Sequence, residues 1–381
     1  MGGRIMAITI NSSTSNGIVI TPDTSGEIEL QANGVTKAKI TSNGLQDANG
    51  NSITGGMYRN LIINGDMKIA QRGTSVAGIT STGYQTVDRW KPVIGTAGTW
   101  TNTQDTSVPS GQGFAYSTKW DCTTANASLS AGSLFALQQK FEGQMLQHIK
   151  KGTSSAESLT ASFWVKSNKT GTLICELEDG DNGRTISKSY TIDTADTWEK
   201  KTITFAGDTS GALDNDNASS LNFNLWFVAG SNFTSGTLQT TWGVPTTADR
   251  VVGTMNLADS TSNYINITGV QLEVGDTATP FEHRPYDMEL ARCQRYYNRI
   301  YDIWCDSAVH VNGGRLMVRV DYPVQMRANP TVTTNTVSNT NCTFQSSNRT
   351  NTNGTHLYAN ATTATGDAFF VVNNMESNAE L

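Results

Sequence analysis

Two short acidic runs have the spacing most suggestive of chemistry in this 381-residue sequence. Asp179 and Asp181 lie in the run Glu-Asp-Gly-Asp-Asn-Gly, and Asp214 and Asp216 alternate with asparagines. Alternating side-chain oxygens suit Ca²⁺, although neither run continues to the glutamate that closes an EF-hand loop. A polar hairpin tip rich in Asp, Asn and Gly is therefore the favoured interpretation. A structural calcium ion bound by Asp179 and Asp181 is the alternative, and no other cofactor is expected.

The residue types of hydrolytic active sites are present, but their spacing does not suit catalysis. A hydrolase needs a positioned acid and base, or a nucleophile beside its partner. The sequence has no GxSxG or HExxH motif. Each of its histidines is isolated: His148, His283, His310 and His356. We therefore predict that the protein is not an enzyme.

Aromatic side chains provide a different kind of chemistry, because a sugar ring can stack on an exposed aromatic face while polar groups reach its hydroxyls. Strand alternation places Trp164 and Trp226 on the sides opposite Phe163 and Phe227. The two tryptophans are candidate glycan-binding residues. They could instead pack against a neighbouring chain, which is the favoured alternative.

Two arginines near the carboxyl-terminal part of the chain form a further candidate binding face. Arg315 and Arg319 alternate with Leu316, Val318 and Val320, so both guanidinium groups should lie opposite the core. Guanidinium groups in that position could bind acidic sugars or phosphates. A solvated strand face explains the pattern equally well.

The elements that would position these residues are mostly β-strands. Residues 57–284 contain long runs of strict alternation, such as Leu159 to Lys166 and Leu221 to Phe227, which give each strand one apolar face. The alternation changes phase around Gly269, which indicates a β-bulge. The prediction for residues 57–284 is a β-sandwich, most plausibly a jelly roll.

The flanking segments predict smaller units. Residues 1–56 carry Asn-Gly pairs at four places, the turn signal of tight hairpins, and so little apolar area that we expect partner chains to stabilise this module. Residues 285–301 begin with Pro and have acids early and arginines late, which predicts a linker helix. Residues 302–381 alternate again and predict a small C-terminal β domain.

Composition excludes several classes of protein. A net charge of −6 gives no basic field for a phosphate backbone, so nucleic acid is not an expected partner. The five cysteines are scattered and without a CxxC pair, which argues against a disulfide framework or zinc. The sequence contains no 18-residue apolar run. Membrane insertion and secretion by a signal peptide are therefore not expected.

Several longer motifs resemble the tail-fibre and tail-fibre-like structural proteins of marine bacteriophages, cyanophages in particular. The resemblance covers roughly residues 57–381, and residues 1–56 resemble phage attachment modules more loosely. The motifs are NLIINGDMKIAQRGTS (Asn60 to Ser75), YQTVDRW (Tyr84 to Trp90), LQQKFEGQ (Leu137 to Gln144), SLTASFWVKSNKTGT (Ser158 to Thr172), TWEKKTITFAGDTSG (Thr197 to Gly211), ITGVQLEVGDTATPFEHRPYDMELARCQRYY (Ile267 to Tyr297) and DYPVQMRANPTVT (Asp321 to Thr333).

The resemblance implies a virion structural protein, made in the host cytoplasm and placed in a tail appendage. It implies a sandwich similar to carbohydrate-binding modules, frequently in a homotrimer. Residues 1–56 would dock onto other virion tail proteins, and the C-terminal domain would face a host receptor, most plausibly a surface glycan, although a protein receptor remains open. A capsid decoration or head fibre is an alternative location. A polysaccharide depolymerase is a less favoured alternative function.

Overall fold

The computed structural model describes residues 28–32, 35–41, 44–47, 59–309, 311–363 and 366–381. The chain divides into two compact units, residues 1–59 and residues 60–381. The first unit contains an antiparallel sheet of three strands, β1 (Ile28–Ala32), β2 (Val35–Thr41) and β3 (Gly44–Asp47). The rest of the predicted 1–56 module, including the Asn-Gly pairs at Asn16 and Asn49, lies outside the described residues.

The small sheet has one charged and one apolar face. Glu29 pairs with Lys39 in the register, and their side chains form a salt bridge of 3.2 Å. Ile28 and Leu30, which alternate with Glu29, share the other face with Ile40 of β2. Leu30 is 48% exposed and Ile40 is 43% exposed. The described residues of this unit therefore leave its apolar face open.

The second unit begins with a β-sandwich built from alternating strands. These are β4 (Ser75–Ile79), β5 (Lys91–Gly95), β6 (Thr99–Asp105), β7 (Ser117–Thr124), β8 (Leu134–Glu142), β9 (Leu159–Ser167), β10 (Gly171–Asp179), β11 (Arg184–Ile192), β12 (Glu199–Phe205), β13 (Ser219–Ala229) and β14 (Tyr264–Val274). A short helix, α1 (Ser231–Thr234), follows β13. Single 3₁₀ turns lie at Gly143–Met145, Gln147–Ile149 and Thr247–Asp249.

The sandwich consists of two antiparallel sheets. The five-stranded sheet has the order β11-β10-β13-β8-β5, and the six-stranded sheet has the order β12-β9-β14-β7-β6-β4. The faces turned toward each other enclose one large apolar core, in which Phe135 makes edge-to-face contacts with Trp120 and Phe227 at 5.1 Å between ring centroids. The predicted mainly β fold with a central jelly-roll-like sandwich is confirmed.

The phase change at Gly269 is also confirmed. The pairing of β14 with β9 shifts register between Thr268 and Gln271, and Gly269 has φ of +62°. A Cβ atom at this position would lie 2.5 Å from Phe114 Cζ. Glycine is therefore required both by the left-handed backbone and by the close approach of the phenyl ring.

The helix after the sandwich is shorter than the predicted 285–301. Helix α2 (Tyr286–Gln294) begins after Pro285 with Asp287 and Glu289 in its first turn, as predicted. The next strand already begins at Tyr297. From there on, the residues that were predicted to be helical pair with the last strand of the chain. The long antiparallel pairing outweighs local helix propensity there, because it satisfies the backbone groups over thirteen residues.

The C-terminal strands form a second, smaller sandwich. They are β15 (Tyr297–Val309), β16 (Arg315–Asp321), β17 (Thr331–Thr340), β18 (Cys342–Asn351), β19 (Gly354–Ala361) and β20 (Gly366–Asn378). Their sheet orders are β15-β20-β17 and β16-β19-β18. Leu316, Leu357, Phe370 and Met375 are among the residues of the core that the two sheets enclose.

Candidate functional site

The outer face of the five-stranded sheet carries a polar row that crosses all five strands. The register aligns Lys91 of β5 with Gln138, Gln138 with Asn224, Asn224 with Glu176, and Glu176 with Ser187 of β11. Neighbouring strands lie about 4.8 Å apart, so the side chains repeat at that spacing. All of them point away from the core because the intervening residues, such as Phe223 and Leu225, are buried in it.

A second polar row runs beside the first. It aligns Lys140 of β8 with Asn222, Asn222 with Glu178, and Glu178 with Thr185. We call the two rows together the ladder face, which is made up of Lys91, Gln138, Asn224, Glu176, Ser187, Lys140, Asn222, Glu178 and Thr185. The ladder face combines amide, carboxylate, ammonium and hydroxyl groups on one face of the sheet.

Hydrogen bonds connect the ladder face along its rows. Gln138 Nε2 donates to Asn224 Oδ1 at 2.9 Å, and Asn224 Nδ2 donates to Glu176 Oε2 at 3.0 Å. In the second row, Asn222 Nδ2 donates to Glu178 Oε2 at 3.2 Å. These bonds hold the buried amide groups in fixed orientations and fix the position of the partly exposed Glu178 carboxylate beside them.

Arg250 joins the two rows at the carboxylates. Its Nε and Nη2 atoms donate to the two oxygens of Glu176 at 2.7 and 2.8 Å, and Nη2 also lies 3.3 Å from Glu178 Oε1. Burial acts to lower the pKa of Arg250, but the hydrogen bonds and charges of Glu176 and Glu178 outweigh it and raise the pKa. The bidentate contact fixes the position of the Glu176 carboxylate, and the single contact holds Glu178 beside it.

Trp226 borders the ladder face but is not exposed. The residue lies outside the central core, as its parity predicts, in a row with Ile174 and Ala136. The segment that follows β13 folds back over it, and Phe233 of α1 packs on the indole at 5.6 Å between ring centroids. Trp226 is 4% exposed, and its Nε1 donates to Glu176 Oε2 at 3.0 Å. Strand parity could not predict that this segment packs on Trp226. Because it does, neither face of the indole is free to stack on a sugar.

The accessible part of the ladder face lies away from Trp226. Lys140, Lys91 and Glu178 are partly exposed. Burial and the nearby charge of Lys91 lower the pKa of Lys140. Two amines and a carboxylate thus surround the more buried amides, an arrangement that can donate to and accept from adjacent hydroxyl groups.

Trp164 lies on the other side of the sandwich. It belongs to β9 in the six-stranded sheet, where its register partners are Lys200 and Thr268, and it is half-buried. Trp226 belongs to the five-stranded sheet. The structure therefore does not bring the two predicted tryptophans together into one platform.

Arg315 and Arg319 share an exposed face of β16, as their spacing predicts. The Arg315 guanidinium lies 5.2 Å from the centre of the Tyr358 ring. Arg319 Nε donates to Asp321 Oδ1 at 2.6 Å. A binding role for these two residues stays a prediction.

Asp179 and Asp181 have different surroundings. Asp179 is buried, forms a salt bridge with Lys151, and accepts hydrogen bonds from the backbone amides of Asp181 and Asn182 at 3.0 Å. Asp181 is exposed and accepts a hydrogen bond from the amide of Asp214. Within the described residues no three His, Cys, Asp or Glu side chains group together as metal ligands. The calcium hypothesis thus stays a prediction, and the Lys151 ammonium is the cationic group in contact with the buried carboxylate.

The ladder face itself was not predicted as a site. Its outward residues were visible in the alternation, since Asn222 and Asn224 interrupt the apolar run of β13 and Glu176 and Glu178 interrupt that of β10. The chemical type of these residues could have indicated the site. Amides and acids at consecutive outward positions are unusual, because β-strands are enriched in Thr and in aromatic residues.

The two packed antiparallel sheets define a jelly-roll-like β-sandwich protein. Similar solved structures include the enzymatically active domain of tailspike protein 4 from bacteriophage CBA120, with 13% identity, a TM-score of 0.30, and a match over 57% of this chain and 22% of that chain. The CBM22-1 xylan-binding domain of Paenibacillus barcinonensis Xyn10C has 10% identity and a TM-score of 0.29 over 59% and 100% of the two chains. The N-terminal cellulose-binding domain of Cellulomonas fimi β-1,4-glucanase C has 12% identity and a TM-score of 0.27 over 55% and 100%.

Similarity at this level carries no function from those proteins to this chain. The match spans only about a fifth of the tailspike chain. No protein-family model matches the sequence, and no curated protein sequence matches it. The resemblance to marine phage tail fibres therefore stays a prediction.

Proposed function

We propose that this protein is a non-enzymatic structural adhesin that binds a cell-surface glycan through the ladder face. The observation that carries the proposal is the preorganised hydrogen-bonded pair of polar rows on the outer face of the five-stranded sheet. A sugar presents adjacent hydroxyl groups that both donate and accept. Side chains fixed at the strand spacing can meet such hydroxyls without losing much side-chain entropy.

The expected affinity of one site is modest. Each net hydrogen bond contributes on the order of 1 kcal/mol, since the sugar gives up equivalent bonds to water. No exposed indole on the ladder face adds stacking energy. Several copies on one particle would raise the effective affinity through avidity, without closer contacts at any one site.

The place of the protein in a virion belongs to the same proposal. The sequence resemblance supports a tail appendage, with residues 1–56 docked on other tail proteins and the chain assembled as a homotrimer. The open apolar face of Leu30 and Ile40 supports contact with partner chains, because exposed apolar area of this kind is normally covered. A head fibre or capsid decoration fits the same physics, and imaging of labelled particles would separate the two locations.

A glycan array followed by titration calorimetry tests the binding proposal. We expect the wild-type protein to bind a restricted set of host-envelope oligosaccharides, and Lys140→Ala to weaken that binding by about tenfold through loss of a charged donor. Lys200→Ala, an exposed lysine on the outer face of the six-stranded sheet, is the matched control and should bind like wild type. Equal affinities in both variants would rule out the ladder face as the site.

A depolymerase is the second candidate, and the neighbouring carboxylates of Glu176 and Glu178 are the observation in its favour. Arg250 holds both carboxylates from one side, an arrangement that suits positioning better than proton transfer. Incubation with envelope polysaccharide and a reducing-end assay decides between the two. We expect no new reducing ends. If wild type produced them and Glu178→Gln did not, the protein would be an enzyme and not only an adhesin.

A further inference from the structure

The C-terminal sandwich exposes a tryptophan that strand alternation alone does not mark as a site. Trp304 lies on β15, an edge strand of its sheet, and its register partner is Val371 of β20. Its side chain is 66% exposed. Exposed tryptophan side chains are enriched in binding sites, because the ring offers a large apolar face together with a polar N–H group.

Trp304 forms one side of a cleft on the outer face of this sheet. The cleft has a volume of about 520 Å³, and its lining includes Asp306, Ser307, Asp367 and Phe369. Asp306 is paired with Phe369 in the register, so the carboxylate, the phenyl ring and the indole lie on the same face. The volume lies in the range of small-ligand sites.

The charge of the cleft is one-sided. Its described lining holds two aspartates and no lysine, arginine or histidine. Within the described part of the chain, the carboxylates of Asp306 and Asp367 make no hydrogen bond or ion pair. Two carboxylates without partners beside an exposed indole favour a ligand that brings positive charge and hydrogen-bond donors.

We infer that this cleft binds an amino sugar, a saccharide ring with a free amine. The apolar face of the ring would stack on Trp304 and contact Phe369. The ammonium and hydroxyl groups would donate to Asp306 and Asp367. The inference adds a second binding site to the proposed function, on a different sandwich, and variants of the two sites separate them.

Titration with a chitosan oligosaccharide, whose glucosamine units carry free amines, tests the inference. The fully acetylated oligosaccharide and an oligogalacturonate are the neutral and anionic probes. We expect the chitosan oligosaccharide to bind most tightly, acetylation to weaken binding by about tenfold, and the anionic probe not to bind. Binding should also weaken at high salt, since charge attraction contributes to it.

Variants of the cleft provide the second half of the test. Trp304→Ala should weaken chitosan binding by tenfold or more, and the double variant Asp306→Asn, Asp367→Asn should remove the preference for the free amine. Tyr301→Ala is the matched control, since Tyr301 is 58% exposed on the same strand and is not part of the cleft lining. Lys140→Ala should leave chitosan binding unchanged, which keeps this test independent of the ladder face.

Three results would overturn the inference. The first is a wild-type protein that shows no binding with chitosan oligosaccharide at about 10 mM. The second is equal or tighter binding of the acetylated probe, which would show that the carboxylates do not select a charged amine. The third is an equal loss of affinity in Tyr301→Ala and Trp304→Ala.

Discussion

Arg89 and Glu380 lie 291 residues apart in the sequence and form a buried ion pair. The Arg89 side chain is fully buried and stacks on Tyr296. Glu380 also forms a salt bridge with Arg72, with 3.2 Å between Arg72 Nη2 and Glu380 Oε1. The last residues of the chain are thereby tied to the segment between β4 and β5. Both partners are desolvated, so each depends on the other for its charge compensation.

Removal of one partner of this ion pair should therefore destabilise the folded protein. We expect Glu380→Ala to lower the free energy of unfolding by about 3–5 kcal/mol, because it leaves Arg89 buried without its counter-charge. Urea denaturation measures the change. Asp321→Ala is the control, since it breaks the exposed pair with Arg319 and should cost under about 1 kcal/mol. Similar small changes in both variants would show that the buried pair is not important for stability.

Asp88 predicts a pH effect of definite sign. Burial, opposed in part by Arg72 and Gln71, raises its pKa from 3.8 to about 6. The folded protein thus binds the proton more tightly than the unfolded chain. Stability from Asp88 is complete below pH 3.8 and is lost as the pH rises through about 6. We expect the free energy of unfolding of Asp88→Asn to rise relative to that of wild type between pH 4 and pH 7, by up to about 3 kcal/mol.

Glu142 provides the opposite sign in the same experiment. Burial acts to raise its pKa, but hydrogen bonds from Arg295 and Tyr296 outweigh it and lower the pKa. The contribution of ionised Glu142 to stability is present above the pKa that this group has in the unfolded chain. It is lost as the pH falls through the lower pKa of the folded protein. Glu142→Gln should therefore lose more stability at pH 7 than at pH 3. If Asp88→Asn and Glu142→Gln show the same pH trend in thermal melts, the assignment of these shifts is wrong.

Gly269 allows the cost of a close contact to be measured separately from backbone strain. Gly269 and Gly183 have φ values of +62° and +61°, but only at Gly269 would a Cβ meet another atom, Phe114 Cζ. We expect Gly183→Ala to cost about 1 kcal/mol and Gly269→Ala to cost at least about 2 kcal/mol more. Melting temperatures of the two variants provide the comparison, and equal losses would show that Phe114 moves aside without cost.

The predicted homotrimer has a simple readout. We expect light scattering of the full chain at micromolar concentration to give three times the mass of one chain. A chain without residues 1–56 should remain folded and oligomeric but should no longer join particles. A monomer in the first measurement would contradict the assembly that the resemblance implies.

Strand alternation was enough to predict the sandwich. Phe163 and Phe227 are buried where their parity places them, and the phase change at Gly269 marks the bulge. Alternation could not predict the segment that covers Trp226, since Phe233 and Val251 reach it through tertiary packing. It also could not predict that Tyr297 belongs to a strand, because the pairing residue, Asn378, is far away in the sequence.

The ladder face was missed for a related reason. The first row requires the order β11-β10-β13-β8-β5 and the second row its first four strands, and among these only β10 and β11 are consecutive in the chain. A sequence shows which residues point outward from each strand, but not which strands are neighbours. The alignment of Gln138, Asn224 and Glu176 depends on two long-range registers that local patterns do not encode.

The position of a bound oligosaccharide decides whether the ladder face is the glycan-binding site. A crystal structure of the protein with the tightest-binding host oligosaccharide from the array should place sugar hydroxyls within hydrogen-bond distance of Lys140, Lys91 and Glu178. Sugar bound only elsewhere on the molecule, with the ladder face free, would show that the ladder face is not the glycan-binding site.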